Sequence, residues 1–305
     1  MDQAEQLRNI IKKNAACQGQ PTINNQNQTG KIARVITVTS GKGGVGKSNI
    51  SVNLGIQMSR LGKRVIILDA DFGLANVEVM LGIRPQYNLA DLMFRGKGLS
   101  DIITKGPENI GFISGGSGIH ELANINRDQI LFLTQKLYEL DELADVIIID
   151  TGAGITDSVL EFVTASSEVL LVVTPEPTSI TDAYALLKTL NRKMDISSDR
   201  TVIKMIANRV DSYEEAKQLY TKLNLVVEKF LTVKMEFLGA VPQDPNVSKS
   251  VMQQKPYSTL YPNSSSSKAV LELANILCNN VTNKVHSSNG ITGLFSNLIR
   301  LKFKK

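Results

Sequence analysis

Cysteine is nearly absent, with only Cys17 and Cys278 in 305 residues. Standing far apart and outside any C-x-x-C pair, the two exclude a disulfide framework and offer no zinc or iron–sulfur ligand set. Also missing is a basic stretch followed by an apolar run at the N-terminus, which opens on Asp2, Gln3 and Glu5. No uninterrupted apolar segment approaches the roughly 20 residues that span a bilayer. These absences predict a chain that stays in the cytosol with reduced, structurally incidental thiols. Acidic residues are absent from Val281 to Lys305, where Lys284, Arg300, Lys302, Lys304 and Lys305 lie. Those five of the 34 basic residues account for the whole net charge of +5, leaving 29 to face 29 acidic ones. The body is electrically balanced, so no nucleic-acid partner is expected and the basic signal belongs to a tail.

What is present is enough apolar material, 42% of the residues, for one large core with appendages. Residues 1–14 place Ala4, Leu7, Ile10 and Ile11 at helical spacing, predicting a short amphipathic helix too marginal to stand alone in water. Residues 15–30 are an Asn/Gln/Gly-rich tether with little to bury. From Lys31 to Leu277, β-branched runs alternate with helical patterns. Strands are predicted at Val35–Thr39, Val65–Leu68, Ile110–Ile113, Val146–Ile149, Val169–Val173 and Val202–Ala207. Helices are predicted at Lys47–Leu61, Arg127–Leu140, Thr156–Ala165, Ser179–Arg192, Tyr213–Phe230 and Ser265–Leu277. That alternation gives an α/β fold, a mostly parallel central sheet with helices on both faces, in which ligands bind outside the carboxyl ends of the strands. Residues 278–290 form a mainly polar linker and 291–305 a separate apolar-basic segment.

Motifs that terminate strands therefore carry the chemistry. Gly41, Lys42, Gly43, Gly44, Val45, Gly46, Lys47 and Ser48 fit G-x-x-x-x-G-K-[ST] between a predicted strand and a predicted helix, the context of a phosphate loop. Its backbone N–H groups and the helix N-terminus suit phosphate oxygens, Lys47 neutralises the β- and γ-phosphates, and the Ser48 hydroxyl suits Mg²⁺. Asn49 follows within the same first turn. Asp69 and Asp71 end the second predicted strand and Asp150 the fourth, where carboxylates reach the metal, its waters or the attacking water. A lone aspartate there would be read as a helix cap; three beside a phosphate loop point to Mg·ATP.

The loop KGGVGKS with its additional Lys42, the segment Asp69–Glu78 (DADFGLANVE) and Asp150–Gly154 (DTGAG) together resemble the deviant Walker ATPases of the MinD/ParA class. The resemblance runs from about Ile32 to Leu277. It implies that Lys42 reaches the phosphates of a partner subunit in an ATP-bound homodimer, that Asp71 positions the hydrolytic water, and that Asp150 acts through Mg²⁺. Lys42, Lys47 and Asp71 are thus the expected catalytic residues; Ser48, Asp71 and Asp150 the expected metal contacts. Asn208, Pro242 and Asp244 resemble the family's adenine-contacting segments, with a strand-end cap and a Pro turn as the plainer readings.

The two ends narrow the branch. On a helical projection Ile291, Leu294, Phe295, Leu298, Ile299, Leu301 and Phe303 cover one face opposite Ser296, Asn297, Arg300 and Lys304, while Lys302 falls inside the apolar sector. This tail resembles the membrane-targeting helix of MinD-type proteins, implying a reversible contact with an anionic membrane surface; a helix docked on its own core is the plainer alternative. At the front, Asp2, Gln3, Ala4, Leu7 and Arg8 fit the DQAxxLR element of the FlhG (YlxH) flagellar-number branch. That resemblance implies docking on the SRP-type GTPase FlhF, with Gln3 at the GTP site. Division regulators of the MinD type share core and tail but not this element, and ParA-type partition ATPases call for a basic body.

Overall fold

A computed structural model of the chain describes residues 32–71, 76–116, 132–133, 135–193, 201–279 and 290–303. The N-terminal helix and tether, with Asp2, Gln3, Ala4, Leu7 and Arg8, lie outside the described residues. Eight strands, β1 (Arg34–Ser40), β2 (Val65–Ala70), β3 (Thr104–Lys105), β4 (Gly111–Ile113), β5 (Val146–Ala153), β6 (Glu168–Val173), β7 (Val202–Val210) and β8 (Met235–Pro242), make one sheet. Their order is β3-β4-β2-β5-β1-β6-β7-β8. All neighbours run parallel except β3 and β4 at one edge. The chain fills one side of β1 first and then the other, so the carboxyl end of β1 opens into the crevice where such sheets bind ligands.

The helices are α1 (Lys47–Arg60), α2 (Asn76–Leu81), α3 (Leu89–Phe94), α4 (Leu99–Ile102), α5 (Glu139–Leu143), α6 (Asp157–Ala165) and α7 (Pro177–Lys193). They continue with α8 (Tyr213–Phe230), α9 (Pro245–Met252), α10 (Tyr257–Leu260), α11 (Ser265–Asn279) and α12 (Gly290–Phe303). Alternate strand residues feed opposite cores, as a pleat of period two requires. Ile36, Val38, Ile67, Ile148 and Leu170 pack under α1 and α11. Val35, Leu68, Ile147 and Ile149, with Leu171 and Met205 farther along, face α6, α7, α8 and α12. All residues of β2 and β6 are buried, which explains their unbroken Ile, Val and Leu character. At the opposite end of the sheet from the crevice, Arg34 and Lys204 converge on the buried Glu168 at 2.8 and 2.9 Å.

All six predicted strands are present, and the two-residue edge strand β3 and β8 are additions. The larger addition is β8. Its burial is irregular, with Glu236 exposed and Phe237, Gly239 and Ala240 half-buried. Its pairing with β7 shifts register between Met205 and Ile206, so neither an apolar run nor clean alternation marks it in the sequence. Of the predicted helix Arg127–Leu140, residues 127–131 and 134 lie outside the described residues; the remainder buries Leu133, Leu137 and Leu140.

The tail, expected as a separate segment, is docked on the core in this structure. Of the predicted membrane face, Ile291, Leu294, Phe295 and Leu298 are 0–7% exposed and belong to the same core as Ala33, Val35, Phe162 and Ala165. Phe295 meets Phe162 edge-on at 6.2 Å, and Asn297 Nδ2 donates to the Ala165 carbonyl at 3.2 Å. The side chains of Ile299 and Phe303 lie outside the described residues. An apolar stripe is satisfied as well by a sheet face as by lipid, and burying four such side chains contributes on the order of 6 kcal/mol or more. The start of α12 is also clasped. Asp141 of α5 accepts from the Ile291 amide at 3.0 Å and the Thr292 hydroxyl at 3.1 Å, satisfying helix-end donors from another element. Gly290 has φ +57, and a Cβ there would run into the Asp141 carboxylate.

Asp141→Ala is expected to weaken the docked tail by about 1 kcal/mol. Amide exchange at residues 291–298 should accelerate roughly fivefold while that of β1 and β5 stays unchanged; equal exchange across the tail would show that the clasp contributes nothing.

Candidate functional site

The predicted phosphate loop occupies the crevice between β1 and α1. Gly44 and Gly46 adopt φ +79 and +92, and a Cβ on Gly46 would lie 2.5 Å from Asn208 Nδ2. A side chain at Gly46 would be both strained and blocked. Asn208, at the end of β7, donates to the Val45 carbonyl at 2.7 Å and so ties a second strand to the loop. The N-terminus of α1 has no side-chain cap and no acidic residue in its first turn. Its unpaired N–H groups and partial positive charge are left for an anion.

Beneath the loop lies a dry cluster of charge. Asp150 is wholly buried; its Oδ1 faces Lys47 Nζ at 3.4 Å and accepts from Ser51 Oγ at 2.8 Å. Ser51 stands one helical turn beyond Lys47, on the same side of α1. Asp150 Oδ2 has no hydrogen-bond partner among the described residues. Asp69 is Asp150's register partner on β2, and its two oxygens accept from the Asp71 amide at 3.0 Å and the Val77 amide at 3.3 Å. Burial and the adjacent Asp150 carboxylate push the Asp69 carboxyl up to about 8, against the pull of those two amides. Asn76 Nδ2 donates to Asp71 Oδ2 at 3.0 Å. Asp71 also stands against Gly152, where a Cβ would be 3.5 Å from its Oδ1.

Strand ends β2 and β5 thus bring the three predicted carboxylates together, with the ammonium of Lys47 beside Asp150. An orphaned buried carboxylate oxygen and a neighbour forced towards its neutral form fit a site that takes up a divalent cation. No group of three His, Cys, Asp or Glu among the described residues could hold a metal by itself. That suits Mg²⁺, which keeps waters and shares phosphate oxygens rather than sitting in an all-protein cage. Ser48, 7% exposed in the first turn of α1, would hold the metal, and Asp71 and Asp150 its surroundings.

Other predicted contacts are placed differently. Asp244 caps α9 through the Asn246 amide at 2.9 Å and accepts from Ser265 Oγ and the Ser266 amide at 3.0 and 3.1 Å. Burial pushes this carboxyl up, but those bonds outweigh it and hold it below its usual range. In this structure Asp244 therefore serves as a helix cap. The amide nitrogen of Asn208 places one of its two protons on the Val45 carbonyl. Pro242 accepts from Ser266 Oγ at 3.2 Å, and Asn49 holds Asn53 through its carbonyl at 2.8 Å. Lys42 lies at the rim, 2.6 Å from Glu176 of its own chain. Sequence reasoning missed Ser51, Asn76 and Glu176. Ser51 had a signal in its one-turn spacing from Lys47; Glu176, 134 residues from Lys42, had none.

The fold and this loop define a P-loop nucleotide-binding protein, and comparison with known proteins agrees. Residues 31–278 match the family described as "ParA: NUBPL iron-transfer P-loop NTPase". The chain is 43% identical to Antiactivator FleN of Pseudomonas aeruginosa over 241 residues, 79% of this chain and 85% of that one. It is 34% identical to Flagellum site-determining protein YlxH of Helicobacter pylori over 247 residues, 80% and 81% of the two chains. Among solved structures, the septum site-determining protein MinD of Pyrococcus horikoshii complexed with Mg-ADP superposes with a TM-score of 0.65 at 22% identity, covering 85% of this chain and 99% of that one. The chain belongs to the ParA family of P-loop NTPases.

The raised Asp69 carboxyl gives the nucleotide-free protein a definite pH dependence. With the folded-state value moved from 3.8 to about 8, the neutral carboxyl is the form the fold tolerates. Its contribution is complete below pH ~4 and is lost as pH rises through about 8. The thermal midpoint without nucleotide or Mg²⁺ should fall from about pH 5 to about pH 9, and Asp69→Asn should flatten that slope. Parallel slopes would remove Asp69 as its source.

Proposed function

We propose that the chain is an ATP-switched ATPase that pairs with a second copy of itself when ATP is bound and regulates flagellar number and placement. The flagellar part rests on one observation, the 43% identity to FleN over most of both chains, with the DQAxxLR element at residues 2–8 in support. The nucleotide part rests on the loop and the Lys47–Asp150 cluster beneath it. When bound, Mg²⁺ with ATP supplies an electrophilic phosphorus whose charge the metal partly neutralises. In this reading Lys47 and the amides of Gly43–Ser48 hold phosphate and Ser48 holds the metal. Ser51 fixes Asp150 toward it, and Asn76 orients Asp71, the carboxylate that positions the attacking water. Lys42 supplies a cation to the neighbouring subunit, which makes occupancy and pairing one coupled event.

The tail belongs to the same switch. Among the described residues no helix is long and apolar enough to cross a membrane, so contact with an anionic inner surface means releasing α12 from its core and laying the stripe on lipid. The protein then alternates between cytosol and membrane. A division-site regulator of the MinD type is the second reading, and similarity in fold is its support.

Two substitutions should diverge. Lys47→Ala is expected to weaken ATP binding by roughly 10- to 100-fold, the loss of a charge-assisted contact, and to stay single. Asp71→Ala is expected to keep ATP, lose roughly 100-fold in hydrolysis and accumulate as pairs. Sedimentation with ATP decides the matter, and a single, ATP-loaded Asp71→Ala chain would contradict the assigned role.

For the flagellar branch, the full chain should accelerate GTP hydrolysis by its cognate FlhF GTPase. Gln3→Ala should lose most of that acceleration with ATPase activity unchanged, because a primary amide both accepts from a water and donates to phosphate. Leu7→Asp should instead weaken binding. A flat GTPase rate under saturating complex would reduce the element to a docking helix.

A further inference from the structure

Ser114 stands in line with the carboxylates of the site. Ile113 at the end of β4 pairs with Leu68 of β2, so the residue that follows it is level with Asp69, as Asp69 is level with Asp150. Ser114 is buried and every part of it is used. Its hydroxyl donates its one proton to Glu78 Oε1 and accepts from the Gly116 amide at 3.0 Å, and its carbonyl accepts from the Leu89 amide at 3.0 Å. Glu78 belongs to α2, whose six residues are too few to hold a helix by themselves. That helix is kept in place from outside. Val77 and Leu81 are buried in the core under α1, and at the far end a Cβ on Gly82 would lie 2.7 Å from the Gln254 carbonyl oxygen. The first turn is held by two strands: β2 through the Val77 amide on Asp69 Oδ2 at 3.3 Å, and β4 through Ser114 on Glu78. The former bond is long; the latter is charge-assisted and the firmer of the two.

The same turn carries Asn76, whose Nδ2 donates to Asp71 Oδ2 at 3.0 Å. Residues two apart on a helix do not face each other, so the pull of Ser114 on Glu78 reaches Asn76 through the backbone of α2. We infer that the Glu78–Ser114 hydrogen bond is the anchor that sets Asn76, and through it Asp71, for ATP hydrolysis. This rests on the reading of Asp71 as the carboxylate that positions the attacking water. Glu78 and Ser114 are then positioning residues, acting on the reaction through Asn76. In this reading phosphate is held by the loop and Lys47 rather than by α2, so a slackened anchor misplaces Asp71 and costs rate, not nucleotide affinity.

The test uses the full chain with Mg²⁺ and ATP, read as kcat and KM, alongside binding of a fluorescent ATP analogue. Ser114→Ala and Glu78→Ala should each lower kcat roughly fivefold, the loss of one hydrogen bond, with KM and analogue affinity unaltered. Glu78→Gln keeps an oxygen that accepts from Ser114 and should retain roughly half of the wild-type rate or more. In an Asn76→Ala background, where the link to Asp71 is already cut, Ser114→Ala should cost nothing further. Thermal unfolding checks that each variant is folded, and the half-buried Glu78 serves should the buried Ser114 not tolerate change. An unchanged kcat in Glu78→Ala, a loss carried by KM, a Glu78→Gln rate as low as that of Glu78→Ala, or a further loss without Asn76 overturns the anchor alone. If Asp71→Ala hydrolyses ATP like wild type, the reading of Asp71 fails and the anchor falls with it.

Discussion

Asp150 is a carboxylate with no exposure to water, placed at the carboxyl end of a central strand and faced by one lysine and one serine. A buried charge of this kind is costly unless it is paired, and much of the surrounding structure can be understood as managing it. Lys47 is fixed by the start of α1, which is fixed by the two left-handed glycines of the loop. Ser51 extends the same helix face by one turn. Asp69, forced into the adjacent register position, moves toward its neutral form because a second negative charge there has no place to go. A cluster of this kind fits a site that takes up a cation.

A second constraint acts at the rim. Lys42 and Lys47 are five residues apart, yet one is buried against Asp150 and the other reaches Glu176 on the segment after β6. The loop's glycines make this divergence possible by letting the backbone turn between them. The two cations are thereby set apart: the inner one faces the buried Asp150 and the outer one stands at the partly exposed rim.

The tail shows what an apolar stripe leaves open. Ile291, Leu294, Phe295 and Leu298 form a continuous apolar stripe, and the molecule gives it a sheet face, an edge-on contact with Phe162 and a clasp from Asp141. Amphipathicity specifies that the stripe be kept from water; it does not specify by what. The polar and basic residues on the other face are compatible with either partner.

The phosphate loop, Lys47, Ser48 and the three aspartates were legible in the sequence because their chemistry is local: glycine spacing, a strand before and a helix after leave few alternatives. The six predicted strands were legible because burial on both faces demands unbroken β-branched runs. Tertiary structure alone decided the rest. β8 is irregularly buried and bulged, so its pattern carries no clear period. Asp244 and Asn208 have side chains suited to several partners, and only folding brings Ser265, Ser266 and Val45 within reach of them. Glu176 meets Lys42 across 134 residues, a pairing that no local pattern encodes, because charge complementarity at a distance in sequence becomes contact only once the sheet has placed β6 beside β1.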